Sequence, residues 1–519
     1  MPLPALVVIP ALVVCAAVLL PVFYLAVRAA GADEGVLALL GAARTMRVLL
    51  DTIVLGAAVT ISCILIAVPL AWLTARTDLP GARLWTVLAA LPLVVPSYIG
   101  GFVVATVFGP VGLVQRLLEP VTGLSRLPEI YGFPGAWLTL TLIAYPYVFL
   151  SVRAGLRGLD PSLEEASRSL GEGEWTTFRR VTLPLLRPWI QAGALLVALY
   201  VLSDFGAVSI MRFDSFTTAI YLQYQGAFNR SYAAVLSLVL VALAALLLLS
   251  DRTGRTRFHR LGAGASKPVR MIPLRRWTGA SLALCTLVAM FAVALPIGVI
   301  IYWLVIGVRE AEPVARALAP AARSLYASAL GTVVALVAAL PVAVLSARRG
   351  AGVGGGILRL MYVSYALPGL VIALSLVFFA ARYAPAVYQS LGLLVFAYAV
   401  HFVPQAVGPL RSSLLQISPS HEEAARTLGR TAPEVIWSVT LPLVRRGMIA
   451  AAALVFLTIM KELPATLLLS PTGFDTLATS IWSYANEGRF ARAASPALLL
   501  LAISSLSMWL LLGQDPERR

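Results

Sequence analysis

The chain has 519 residues, of which 60% are hydrophobic and only 12% charged, and its mean hydropathy is +0.88. A water-soluble domain carries roughly 25% charged residues, so the soluble classes are excluded, and the long apolar runs exclude a β-barrel of short alternating strands. The formal charge of +16 does not point to nucleic acid, because the arginines gather in short segments between apolar runs, where they set membrane orientation.

In chain order, twelve apolar runs approach or exceed the roughly 20 residues a bilayer crossing takes. The first six cover roughly 4–28, 50–75, 84–109, 134–153, 187–210 and 232–250; the second six cover roughly 278–306, 323–347, 356–381, 389–410, 446–470 and 494–512. With lipid as solvent every backbone group must be paired within its segment, so these spans are expected to be helices. The first run is too long for a signal-peptide core and lacks a basic start, which makes it an uncleaved span. Cys15, Cys63 and Cys285 sit singly in apolar runs and read as packing residues. His259, His401 and His421 are scattered and form no ligand cluster, so neither a metal site nor a cofactor is expected.

Orientation follows from the connectors. Those around Arg76–Arg83, Arg153–Arg187, Arg252–Arg276, Arg348–Arg359 and Arg411–Arg446 are rich in arginine, and each follows an even-numbered span. They are expected in the cytoplasm, together with both termini. The densest, Arg252–Arg276, reads as a connector between halves, with a lipid or partner patch as the alternative.

The chain also repeats itself. Pro146, Arg153, Pro161, Gly171 and Pro184 recur 258 residues later as Pro404, Arg411, Pro419, Gly429 and Pro442. Upstream, at an offset of 272, Pro69, Arg76 and Pro96 recur as Pro341, Arg348 and Pro368. A third block, Phe213-Asp214-Ser215, recurs at an offset of 261 as Phe474-Asp475-Thr476. The predicted fold is therefore an all-α polytopic membrane protein of about twelve transmembrane helices in two tandem six-helix repeats. An even span number gives both repeats one orientation and a pseudo-two-fold axis along the membrane normal. The domains are 1–250, a basic connector 251–277, and 278–519.

The repeat is sharpest in two loops, 160–184 and 418–442. The first reads Asp160-Pro-Ser-Leu-Glu-Glu165-Ala166-Ser167-Arg-Ser-Leu-Gly171, then nine residues, then Val181-Thr-Leu-Pro184. The second reads Ser418-Pro-Ser-His-Glu-Glu423-Ala424-Ala425-Arg-Thr-Leu-Gly429, then nine residues, then Val439-Thr-Leu-Pro442. Asp160 or Ser418 can cap a helix with proline at its first position, and the glycine can end it with positive φ. A second short helix follows, ending near the Leu-Pro pair and leading into a span. Such a pair suits a knob that docks on another protein and passes a push into the membrane.

Both loops resemble the EAA loop of ABC-importer permeases, departing only at Ser167 and in valine at 181 and 439. The resemblance covers essentially the whole chain, as two fused permease domains. It implies that Glu165, Ala166, Ser167, Gly171, Glu423, Ala424, Ala425 and Gly429 couple the pore to an ATP-binding cassette ATPase, two copies of which are expected. It implies further a periplasmic or lipid-anchored substrate-binding protein and a multi-pass place in the inner membrane, with lipid around it. The chain itself is expected not to be an enzyme and to have no catalytic residue. Its two lysines, Lys267 and Lys461, lie outside any phosphate loop of the Gly-Lys-Ser/Thr type.

Ionisable groups inside spans mark pathways. Asp204 in the fifth span aligns with Glu462 in the eleventh, each roughly 25 Å from the arginines that open its span at 1.5 Å per residue. With Lys461 they read as a gate or as an interhelical ion pair, Asp204 facing Lys461 across the axis. The run Lys461–Thr466 and the Phe-Asp-[Ser/Thr] repeat resemble the fused permeases of the ferric-iron group, which makes ferric iron the expected substrate. Thiamine, phosphonate or polyamine importers of the same kind are alternatives, and a twelve-span secondary transporter is the main rival. No His/Tyr/carboxylate cluster that would hold iron is legible in the sequence.

Overall fold

Long apolar runs rich in Ala, Leu and Val have one way to satisfy their backbone in lipid, and the chain takes it throughout. A computed structural model describes residues 5–31, 35, 38, 40–226, 230–250, 271–348, 354–365 and 367–512. Most of the Arg252–Arg276 connector, with His259 and Lys267, lies outside the described residues.

The first half runs α1 (Ala5–Ala30), α2 (Ala43–Arg76), α3 (Ala82–Ala90), α4 (Ser97–Phe108), α5 (Leu113–Thr122), α6 (Phe133–Gly158), α7 (Pro161–Ser169), α8 (Glu174–Thr177), α9 (Leu183–Ser203), α10 (Gly206–Ile210), α11 (Phe216–Gly226) and α12 (Arg230–Ser250). The second runs α13 (Thr278–Ala289), α14 (Leu295–Arg309), α15 (Leu318–Arg348), α16 (Gly355–Tyr365), α17 (Gly369–Tyr383), α18 (Leu391–Gln416), α19 (Pro419–Thr427), α20 (Ala432–Val435), α21 (Leu441–Met460), α22 (Pro464–Leu469), α23 (Leu477–Asn486) and α24 (Phe490–Leu512). Among the described residues, 11 helical stretches are long and apolar enough to cross a membrane, and Ala82–Val94 and Gly369–Tyr383 are shorter apolar helices. The all-α polytopic fold is as the sequence requires.

Two predicted spans are discontinuous. The third is cut at Pro96, which stands as the extended N-cap of α4, and the ninth at Pro368, the corresponding N-cap of α17. Proline lacks the N–H a continuous helix needs and pushes the residue before it out of the helical region. The fifth and eleventh spans also stop short, at Ser203 and Met460, so Asp204, Lys461 and Glu462 lie just past helix ends rather than within spans.

The chain divides into two compact units. One holds Ala42–Ala219 and Ala242–Val305; the other holds Met1–Gly41, Ile220–Val241 and Ile306–Arg519. In the former, α2, α6 and α9 pack on one another; in the latter, the repeat-related α15, α18 and α21 do the same. The leading helix of each sequence half belongs to the other half's unit. Thus α1 packs on α15 and α17, where the Tyr24 hydroxyl donates to the Phe378 carbonyl (3.2 Å) and Ser375 Oγ to the Pro21 carbonyl (2.9 Å). Likewise α13 packs on α3, and the segment leading into it pairs with the end of α2 through Ile272 N–H to Arg76 O (2.9 Å) and Asp78 N–H to Ile272 O (3.2 Å).

Candidate functional site

The two predicted coupling loops start and turn as their sequences dictate. The Asp160 carboxylate accepts the Ser162 N–H (3.0 Å) and caps α7, whose first residue is Pro161. Ser418 accepts the Ser420 N–H (3.4 Å) at the start of α19. Gly171 and Gly429 end these helices at φ +88° and +84°, left-handed positions where a side chain would be strained. The Glu434 carboxylate turns back to accept the Thr431 N–H (2.8 Å), and this bond holds its pKa below the usual carboxylate range.

The helix after each glycine differs from its sequence reading. It does not end at the Leu-Pro pair. From Glu174 the helix runs unbroken to Ser203, and from Trp437 to Met460. The join is a π-helical turn, Phe178–Thr182 in the first loop and Ile436–Thr440 in the second. In the first, the Leu183 N–H reaches back five residues to the Phe178 carbonyl. The wider turn gives the rings of Pro184 and Pro442 room without breaking the helix. Each loop is therefore continuous with a membrane span.

Glu165 and Ala166 face outward, as do Glu423 and Ala424. Around them stand large apolar side chains: Leu170 and Leu428 are 85% and 82% exposed, and Trp175 and Trp437 are each 72% exposed. Trp175 stacks on Phe178 with ring centroids 5.7 Å apart. Ser167 points inward and shares a hydrogen bond with Thr177 (3.1 Å). The second loop has Ala425 and Val435 at those positions, both buried, so the departure at Ser167 is matched by a polar partner in its own loop.

The residue that ties the first loop down is Glu164, the neighbour of the predicted one. Its Oε1 accepts the Thr182 hydroxyl (2.9 Å) and lies 3.5 Å from the Arg76 guanidinium. Arg76 ends α2, and Thr182 leads into α9, so Glu164 joins α7 to two spans. The repeat carried the signal: Arg76, Glu164 and Thr182 recur as Arg348, Glu422 and Thr440 at the established offsets.

The predicted gate residues cap short helices. Asp204 Oδ2 accepts the N–H groups of Ala207 (3.0 Å) and Val208 (3.3 Å) at the start of α10. Glu462 Oε1 accepts the Ala465 N–H (3.2 Å) in the first turn of α22. Each acid's own carbonyl accepts a threonine hydroxyl at 2.6 Å, from Thr217 and Thr466 respectively. Asp204 and Lys461 belong to different units. The two acids thus anchor the breaks that interrupt matched spans, an arrangement tolerated at membrane depth where the backbone lines a cavity or is buried in protein.

The Phe-Asp-[Ser/Thr] blocks are helix starts. Ser215 and Thr218 cap α11 reciprocally, Ser215 N–H to Thr218 Oγ1 (2.8 Å) and Thr218 N–H to Ser215 Oγ (3.3 Å). Thr476 and Thr479 form the same capping box on α23. The next N–H is taken by a span hydroxyl: Phe216 donates to Thr52 Oγ1 (3.0 Å) and Leu477 to Ser324 Oγ (2.7 Å). Among the described residues no three His, Cys, Asp or Glu side chains gather as a metal site.

Comparison with known proteins matches these features. The family described as "Binding-protein-dependent transport system inner membrane component" matches residues 64–253 and again 331–519. The chain is 34% identical over 500 residues to the Fe(3+)-transport system permease protein FbpB 2 of Haemophilus influenzae, covering 95% of each chain. It is 33% identical over 199 residues to the molybdenum transport system permease protein ModB of Escherichia coli, covering 37% of this chain and 86% of the relative. It is 30% identical over 195 residues to the probable sulfate transport system permease protein cysT of Prototheca wickerhamii, covering 36% and 74%. Two copies of one family domain, each with its own exposed loop continuous with a span, make this chain a member of the binding-protein-dependent transport inner membrane components, a fused ABC-importer permease.

Proposed function

We propose that the chain conducts ferric iron across the inner membrane, receiving it from a periplasmic or lipid-anchored binding protein. The observation that carries the substrate is the likeness to a ferric permease along both halves, where the molybdenum and sulfate relatives cover only 37% and 36% of the chain. ATP is hydrolysed by separate cassette subunits, one docked on each coupling loop through the Leu170–Trp175 and Leu428–Trp437 faces. Both termini and the 251–277 connector between the two domains are cytoplasmic, on the side of the arginine-rich segments. Asp204, Lys461 and Glu462 mark the helix breaks beside the pathway.

The test is uptake of radioactive iron, presented as Fe(III) citrate, by cells expressing the chain with its partner subunits. Iron accumulation that stops when the partner ATPase is inactivated is the expected result. Uptake of molybdate or thiamine with no iron uptake would overturn the substrate. Uptake driven by an ion gradient without the ATPase would overturn the importer class.

A further inference from the structure

The two repeats carry different chemistry beside their aligned breaks. In the second, His401 and Gln405 lie one turn apart on α18, on one helix face. Gln405 Nε2 donates to Thr458 Oγ1 (3.0 Å), and that hydroxyl donates in turn to the Leu454 carbonyl (2.8 Å). The threonine proton is thereby committed, so Thr458 must accept from the amide nitrogen, and the amide oxygen is aimed away. Among the described residues, that Oε1 and His401 Nδ1 are buried and take part in no hydrogen bond. Buried polar atoms are nearly always satisfied, and polar groups at membrane depth are costly enough to mark function.

Glu462 joins them. A methyl group placed on Gly369 would stand 2.6 Å from Glu462 Oε1 and 2.9 Å from His401 Cε1. The carboxylate and the imidazole therefore converge over Gly369, and a side chain there would have to displace them. The first repeat keeps only the acid, Asp204, in an equivalent place. His401, Gln405 and Thr458 correspond there to Ile143, Tyr147 and Tyr200, and the two tyrosine rings pack at 5.6 Å.

We propose that His401, Gln405 and Glu462 form a transit site for a hard multivalent cation, built by the second repeat alone. Carboxylate and amide oxygens with one imidazole suit such an ion. The donors are too few to retain it. A conducting site must bind well enough to admit its ion and weakly enough to release it. This inference rests on the ferric-iron reading and places the contact in one repeat.

The experiment compares His401→Leu, Gln405→Leu and Glu462→Gln with the first-repeat control Ile143→Val, in cells carrying the whole importer. Expected is a fall in Fe(III) citrate uptake of tenfold or more in the three variants. Membrane abundance and the ATPase rate stimulated by the loaded binding protein should stay within twofold of the parent. The purified full chain in lipid nanodiscs is also treated with Fe(III), ascorbate and peroxide, and its oxidation is mapped by mass spectrometry. Oxidation should centre on His401 and the start of α17 and disappear in Glu462→Gln. Uptake unchanged in all three variants, a parallel loss of uptake and ATPase, or oxidation that ignores this region would each overturn the site. If the parent importer takes up no iron, the substrate reading fails first, and that outcome is distinct from a parent and variants that import equally.

Discussion

Arg76, the last residue of α2, holds its guanidinium 3.5 Å from the Glu164 carboxylate of α7, and the two side chains are only 2% and 14% exposed. The separation is that of an ion pair rather than a hydrogen bond, and the same carboxylate oxygen takes its hydrogen bond from Thr182. A displacement of α7 is thereby shared between α2 and α9, although only α9 continues from the loop. Removing one partner of a buried pair costs about 3–5 kcal/mol, because the other charge stays buried. Glu164→Ala is therefore expected to lower the melting temperature of the purified chain and to abolish uptake. Glu164→Gln, which can still accept from Thr182, should lie between Ala and the parent in both measurements. Equal stability for all three would show that Arg76 draws nothing from this contact.

Gly171 and Gly429 make the second prediction. Proline fixes φ near −65° and cannot adopt the +88° and +84° found at these turns. The double variant Gly171→Pro/Gly429→Pro is expected to insert normally but lose ATPase association and transport. Each single variant should keep partial function, since the other loop remains intact. Normal association in the double variant would remove the loops from the coupling role.

Topology is checked with single cysteines at Arg168, Arg426, Asp214 and Asp475. The native Cys15, Cys63 and Cys285 are buried, so the labelling background is low. In intact cells an impermeant maleimide should reach positions 214 and 475 and spare 168 and 426. The opposite pattern would invert the orientation drawn from the arginine-rich connectors.

The span hydroxyls that hold α11 and α23 give a stability prediction. Thr52→Val removes the acceptor of the Phe216 N–H, and Ser324→Ala removes that of the Leu477 N–H. A buried N–H left unsatisfied costs about 1–3 kcal/mol. The two sites lie in different units, so their effects on thermal unfolding should add. Cooperative loss beyond the sum would show the two starts to be coupled.

What the sequence made legible was local. Caps, proline positions and the turn glycines act within a few residues, so the loops around Glu165 and Glu423 could be drawn almost residue by residue. Hydropathy, averaged over a window, passed over the breaks at Pro96 and Pro368, because one proline barely changes the mean of an apolar run. Nor could it show that the carboxylates of Asp204 and Glu462, read as gate or ion-pair charges, are taken up by the N–H groups of the following short helices. Glu164 was overshadowed by Glu165, since adjacent residues on a helix point about 100° apart and only packing shows which one turns inward. The placement of α1 and α13 is long-range packing between sequence halves and has no local signature.

That exchange of leading helices governs how the protein is made. The partners of α1 on α17 leave the ribosome more than about 300 residues later, on the order of tens of seconds at typical synthesis rates. Until then α1 must wait in the bilayer without them, and the unit built on α2, α6 and α9 stays incomplete until α13 arrives. Two separately encoded halves would have to find each other by diffusion to trade these helices. A single chain delivers each missing helix to its unit in one-to-one supply and at high local concentration, so fusion acts here as a built-in assembly aid.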